Sequence, residues 1–145
     1  MGKLKKTVAS NAGYMTQKSA KDGYLSPNFK LSEFLSKDGN NSGFKINSKV
    51  IDGLETLRSL AGNKPITIDS AYRSPERNAK VGGVDNSQHT QGNAVDIKIP
   101  GLTVYQMADL ARKAGFTGIG IYPPKSDGSG GFLHVDTGPS RTWTK

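Results

Sequence analysis

The chain has 145 residues, 34% of them hydrophobic and 22% charged, and its 20 Lys and Arg against 12 Asp and Glu give a net charge of +8. This is the composition of one folded domain and excludes a disordered chain, and no run approaches the roughly 20 apolar residues of a membrane span. Cysteine is absent, which excludes a disulfide framework, a thiolate metal site and a cysteine nucleophile, so any imidazole chemistry rests on the two histidines, His89 and His134.

The positive charge points to an anionic partner: nucleic acid, an acidic lipid surface or an acidic wall polymer. The aromatic residues are not interleaved with Lys and Arg as a base-stacking surface requires, so nucleic acid is not expected.

In chain order, residues 1–28 are polar and carry no apolar period. They read as a loosely draped arm that adds little to a core. The opening MGKLKK is basic, but the apolar segment of roughly 7–15 residues that a signal peptide needs does not follow. Lys6 stands where a myristoylation motif wants Ser or Thr. The expectation is therefore a chain made in the cytoplasm.

The domain is expected over 29–145. LSEFLS (31–36) reads as a short helical turn with Ser32 able to cap, and DGNNSG (38–43) as a turn. Over 47–62, Val50, Leu54, Leu57 and Ala61 recur at helical spacing, Asn47 or Ser48 caps the start and Gly62 stops it. Gly53 weakens that helix by roughly 1 kcal/mol relative to Ala. PITIDSAY (65–72) reads as a strand, SPERNAKVGG (74–83) as a short helix or turn, and VDNSQHTQGN (84–93) as a loop. AVDIKIP (94–100) alternates, with Val95, Ile97 and Ile99 on one face and Ala94, Asp96 and Lys98 on the other. TVYQMADLARKAG (103–115) is a helix capped by Thr103, with Val104, Met107, Ala108 and Ala111 as its apolar stripe. GIGIY (118–122) and GFLHVDT (131–137) are strands joined by a polar loop. This order predicts an α+β domain with a small, largely antiparallel sheet and flanking helices.

Each histidine stands near a carboxylate. His89 precedes Asp96 by seven residues, and His134 shares a strand face with Asp136. Two histidines and a carboxylate are a donor set of catalytic zinc, with one position left for water. Asp96 falls among Ala94, Val95, Ile97 and Ile99, where a bare carboxylate is costly unless paired or metal-bound. Against this, a histidine in a strand is more often a hydrogen-bonded core or surface residue, and a carboxylate in an alternating strand usually faces solvent. The residues alone leave both readings open. A non-haem iron triad is a third, but the strands are too few for a large β-barrel.

The blocks SAYRSPERNAKVGG, NSQHTQGNAVDI, GIGIY and GFLHVDTGPSRTW, in that order between about Phe29 and Trp143, resemble the zinc D-Ala-D-Ala carboxypeptidase family. That family includes peptidoglycan endopeptidases and phage endolysins, and its fold is also that of the hedgehog signalling domain. The resemblance implies Zn2+ held by His89, Asp96 and His134. It implies a substrate-binding or catalytic role for Arg73, with Gln88 a polar neighbour of water or substrate. It departs from several relatives at the general base: where they carry Glu or His, this chain has Gly131 and Phe132. Asp136 then either orients His134 or acts as the base, with Asp85 and Asp127 as weaker candidates.

The expected function is a zinc peptidase of peptidoglycan peptides. It acts on the cell wall, as in phage lysis, works as a monomer, and takes anionic wall polymers as further partners. The alternative is a non-catalytic, zinc-containing wall-binding module on the same fold.

Overall fold

A computed structural model describes residues 13–145, so the first 12 residues of the expected arm lie outside the described residues. The N-terminal half holds four short strands: β1 (Tyr14–Met15), β2 (Tyr24–Ser26), β3 (Phe29–Lys30) and β4 (Ile46–Asn47). They form two small antiparallel pairs, β1 with β4 and β2 with β3. Helix α1 (Ser48–Leu60) follows, then β5 (Thr67–Ser70), α2 (Pro75–Lys80), β6 (Ala94–Lys98), α3 (Val104–Lys113), β7 (Gly118–Tyr122), β8 (Phe132–Asp136) and β9 (Arg141–Thr144). Among the described residues no helix is long and apolar enough to cross a membrane.

The helices begin where their caps predict. Asn47 accepts from the Lys49 amide at 2.9 Å, Ser74 from Arg77 at 3.0 Å and Thr103 from Gln106 at 3.1 Å. Gln106 Oε1 in turn accepts from the Thr103 amide at 2.8 Å, closing a capping box on α3. The turn at Leu31–Phe34 is a single 3-10 turn, held by Glu33 accepting from the Lys30 amide at 2.7 Å rather than by a Ser32 cap. Gly53, an apparent weakness of α1, has a packing reason: a Cβ there would lie 2.7 Å from the Phe116 ring.

Strands β5 to β9 make a five-stranded sheet in the order β5-β6-β8-β7-β9, antiparallel except that β7 and β9 run parallel. The architecture is the expected α+β class, in which a pleated sheet sends alternate residues to opposite faces. Val95, Ile97, Leu133, Val135, Ile119 and Ile121 go to one face and are buried in the core. Helix α3 lies against β7 and β8 on that side, and α1 packs on α3. The same pleat sends Asp96, His134 and Asp136 to the other face, beside Gly118 and Gly120 of β7 and Arg141 and Trp143 of β9.

The arm reading is corrected for residues 13–28. Met15 and Leu25 are fully buried members of the core, and Phe29 follows them in. Two-residue strands bury isolated apolar side chains, so this packing leaves no period in the sequence. Tyr14 also ties the segment to the rest of the fold, its hydroxyl donating to Asn93 Oδ1 at 3.0 Å.

Candidate metal centre

Strand register sets two of the three candidate ligands. Asp96 on β6 pairs directly with His134 on β8, and cross-strand neighbours on one face bring their side chains together. The third comes from the loop between α2 and β6. There Ser87 Oγ accepts from the His89 amide at 3.1 Å and the Arg73 amide donates to the His89 carbonyl at 3.2 Å. His89, Asp96 and His134 thus converge, with their donor atoms within 4.8 Å of one another.

The ring nitrogens explain what this convergence is for. His89 Nδ1 lies 2.9 Å from the Ala71 carbonyl, which can only accept, so Nδ1 carries the proton and Nε2 presents a lone pair. That lone pair faces Asp96 Oδ1 at 3.3 Å. His134 Nε2 donates to Asp136 Oδ2 at 2.7 Å, leaving Nδ1 to face the same Asp96 oxygen at 3.1 Å. Lone pairs aimed at one carboxylate oxygen repel unless a positive charge lies among them. Zinc bonds of about 2.0–2.1 Å in a tetrahedron separate their ligand atoms by about 3.3–3.4 Å, close to the spacings found here. The donor set and its spacing fit Zn2+.

Burial and the neighbouring charges act against each other at each of these groups. Burial works against an ionised Asp96, yet the His134 and His89 imidazoles that face it outweigh burial and hold the carboxyl below the usual range. Burial likewise disfavours a charged His134, but Asp136 and Asp96 prevail and raise its pKa. Asp136 is also lowered despite burial, by His134, the Gly138 amide and Arg141. Asp136 is 0% exposed, and its Oδ1 accepts from the Gly138 amide at 2.9 Å. It stands behind the His134 ring, on the side away from Asp96.

The room for this arrangement comes from β7. A Cβ on Gly118 would overlap the Asp136 carboxylate, and one on Gly120 would lie 2.5 Å from the Trp143 ring. Trp143 leans over His134, ring centroids 5.2 Å apart, and its indole N–H donates to the Tyr122 hydroxyl at 3.2 Å. Phe132 stacks on Tyr122, ring centroids 4.4 Å apart.

These residues wall an open groove of about 620 Å³ that reaches Arg73, Gln88, His89, Asp96 and His134. Arg73 is held by Asn78 Oδ1 at 2.9 Å and Ser70 Oγ at 3.4 Å, and its guanidinium comes within 3.9 Å of Asp96 Oδ2. Burial lowers its pKa, which for an arginine still leaves the charge in place. Gln88 lines the groove with its Oε1 accepting from Asn93 at 3.1 Å. Neither Asp85 nor Asp127 lines it, and Asp127 accepts from the Ser129 amide and hydroxyl at 2.9 and 2.6 Å. Asp96 is the one carboxylate among the described lining residues. Sequence reasoning missed Tyr122 and Arg141, whose signal was the face alternation of β7 and of the unforeseen β9.

Comparison with known proteins accords with this geometry. The sequence profile of the peptidase M15 family matches residues 27–136. The peptidoglycan L,D-endopeptidase MepK of Escherichia coli (strain K12) is 34% identical over 130 residues, 83% of this chain and 68% of that protein. The probable peptidoglycan L,D-endopeptidase MepK of Haemophilus influenzae is 30% identical over 129 residues, 83% of this chain and 67% of that protein. The zinc D-Ala-D-Ala carboxypeptidase of Streptomyces albus G is 36% identical over 91 residues, 63% of this chain and 35% of that protein. With the family's profile running from β2–β3 through the last residue of β8, and the His89–Asp96–His134 trio inside it, the chain belongs to the peptidase M15 family.

Proposed function

We propose that this chain is a zinc-dependent peptidase that cleaves peptide bonds in bacterial peptidoglycan. The observation that carries the reading is the convergence of His89 Nε2, His134 Nδ1 and Asp96 Oδ1, each histidine having its other nitrogen tied down. The relatives, two peptidoglycan endopeptidases and a zinc D-Ala-D-Ala carboxypeptidase, support the substrate class.

His89, Asp96 and His134 would hold the ion. When bound, zinc supplies a Lewis acid that polarises the scissile carbonyl and lowers the pKa of water towards about 7. The chain's own residues do the rest. The Ala71 carbonyl and Asp136 fix the two imidazole rings, so that no reorganisation is needed at the moment of reaction. Asp136 acts as a positioning residue for His134, since it is fully buried behind that ring. Arg73, fixed beside Asp96, offers its fork to a substrate carboxylate or carbonyl, and Gln88 adds a polar contact at the rim. Tyr122, Phe132 and Trp143 give the groove an apolar wall against which a peptide backbone can lie.

All three candidate ligands come from one chain, which supports action as a monomer. The net charge of +8 supports attraction to anionic wall polymers. A role in phage lysis rests on the family resemblance alone. Zymography on purified peptidoglycan tests the reading. Clearing is expected, lost with a chelator and restored by zinc. Zinc-loaded protein that binds the wall without clearing it would instead support a binding module.

A further inference from the structure

Arg141 opens β9, where it pairs with Gly118 of β7. The Asp136 carboxylate fills the space over Gly118, and Arg141 shares that sheet face with it and with Trp143. Its guanidinium rests on the Trp143 ring, 4.4 Å from the centroid, and the side chain is 53% exposed in the groove. A planar guanidinium stacked on an indole is held flat without spending its N–H donors.

Those donors are largely unused. The nearest carboxylate among the described residues, Asp136 Oδ2, is 3.6 Å away, an ion pair beyond hydrogen-bond reach. Asp136 is already served more closely by His134 at 2.7 Å and by the Gly138 amide at 2.9 Å. Stabilising Asp136 therefore does not account for a half-exposed arginine that lines the groove. The surrounding charge is one-sided: Arg73, Arg141 and Lys145 line the groove, and the one lining carboxylate, Asp96, faces the two histidines. A positive cleft with low-dielectric walls draws in and orients anions.

We propose that Arg141, held on Trp143, is a carboxylate-binding position that selects peptides bearing a free acidic group beside the scissile bond. This rests on the peptidase reading above and adds a specificity determinant to it. The site is separate from Arg73, which Asn78 and Ser70 hold beside Asp96. The fork of Arg141 matches a carboxylate bidentately, and a carboxamide offers only one of the two acceptors.

The test uses the zinc-loaded full chain, wild type and Arg141→Gln, with two sets of soluble stem peptides identical except that carboxylates in one are carboxamides in the other. Equilibrium binding, turnover and zinc affinity are measured for each. Wild type should favour the acid peptide about tenfold or more in binding and KM, the scale of a charge-assisted hydrogen bond. Arg141→Gln should lose most of that preference while binding the amide peptide as wild type does and keeping its zinc affinity. Arg141→Lys, with charge but no fork, should fall between them. A preference that survives in Arg141→Gln, equal losses on both peptides, or a parallel fall in zinc affinity would overturn the proposal, as would a wild type that binds neither peptide. If wild type prefers the acid peptide in binding but cleaves neither, the subsite stands and the peptidase reading falls. If it cleaves both with equal KM, the subsite falls and the peptidase reading stands.

Discussion

Asp136 accepts the Nε2 proton of His134 at 2.7 Å, and that one bond determines which nitrogen of the ring is left for a cation. In Asp136→Asn the amide oxygen can still accept from the ring, but the charge is lost and the Nδ2 protons clash with the Gly138 amide. Zinc affinity should fall about 10–100-fold, with most of kcat retained once zinc is saturating. Titration with a competing chelator beside turnover at high zinc checks this. A zinc-saturated Asp136→Asn protein with no turnover would make Asp136 the base.

Gly118→Ala places a methyl group where the Asp136 carboxylate now lies. The carboxylate must move off His134, so the variant should lose about 1–3 kcal/mol of stability from overpacking. It should also bind zinc more weakly than wild type. Thermal unfolding with and without added zinc reads both effects. Unchanged zinc affinity would show that β7 does not shape the site.

Much of this was legible in the sequence. The alternation of 94–100, with Asp96 on the face opposite Val95 and Ile97, placed a carboxylate on a strand face where cross-strand pairing could complete a site. Helices α1 and α3 announced themselves by apolar spacing and caps. The rest depends on contacts that no local pattern carries. The Ala71 carbonyl that sets the His89 tautomer is 18 residues away. The same-face rule put Asp136 beside His134 but could not say which ring nitrogen it meets. Strand β9 is short and mostly exposed, so its pairing with β7 left no hydrophobic signal. Met15 and Leu25 were hidden among polar neighbours for the same reason.

The burial of those two residues makes the N-terminal segment structural. Truncation to a start near Leu25 removes Met15 and the Tyr14–Asn93 hydrogen bond, and Met15→Ala alone should cost about 2–5 kcal/mol. Urea unfolding of the truncated chain should show a clear loss of stability. A midpoint equal to the full chain's would return the segment to the status of an arm.

Acid stability should depend on Asp38, whose carboxyl is drawn down from 3.8 to about 2 by hydrogen bonds from the Ser36 and Ser74 hydroxyls. A carboxyl with a folded pKa below its unfolded value stabilises the fold above about pH 4, and that contribution is lost as pH falls towards 2. Between pH 5 and pH 3 the urea midpoint of wild type should therefore drop more than that of Asp38→Asn. Equal drops would remove Asp38 from the account.

The claim that His89, Asp96 and His134 hold a zinc that cleaves wall peptides is tested most directly by mass spectrometry of muropeptides. Purified peptidoglycan would be digested with zinc-loaded wild type, with chelated wild type and with His89→Ala. The account predicts new peptide fragments, each differing from its parent by cleavage of one peptide bond with addition of water, from the zinc-loaded wild type alone. The same fragments from the chelated protein or from His89→Ala, or an unchanged muropeptide pattern from the zinc-loaded wild type, would contradict it.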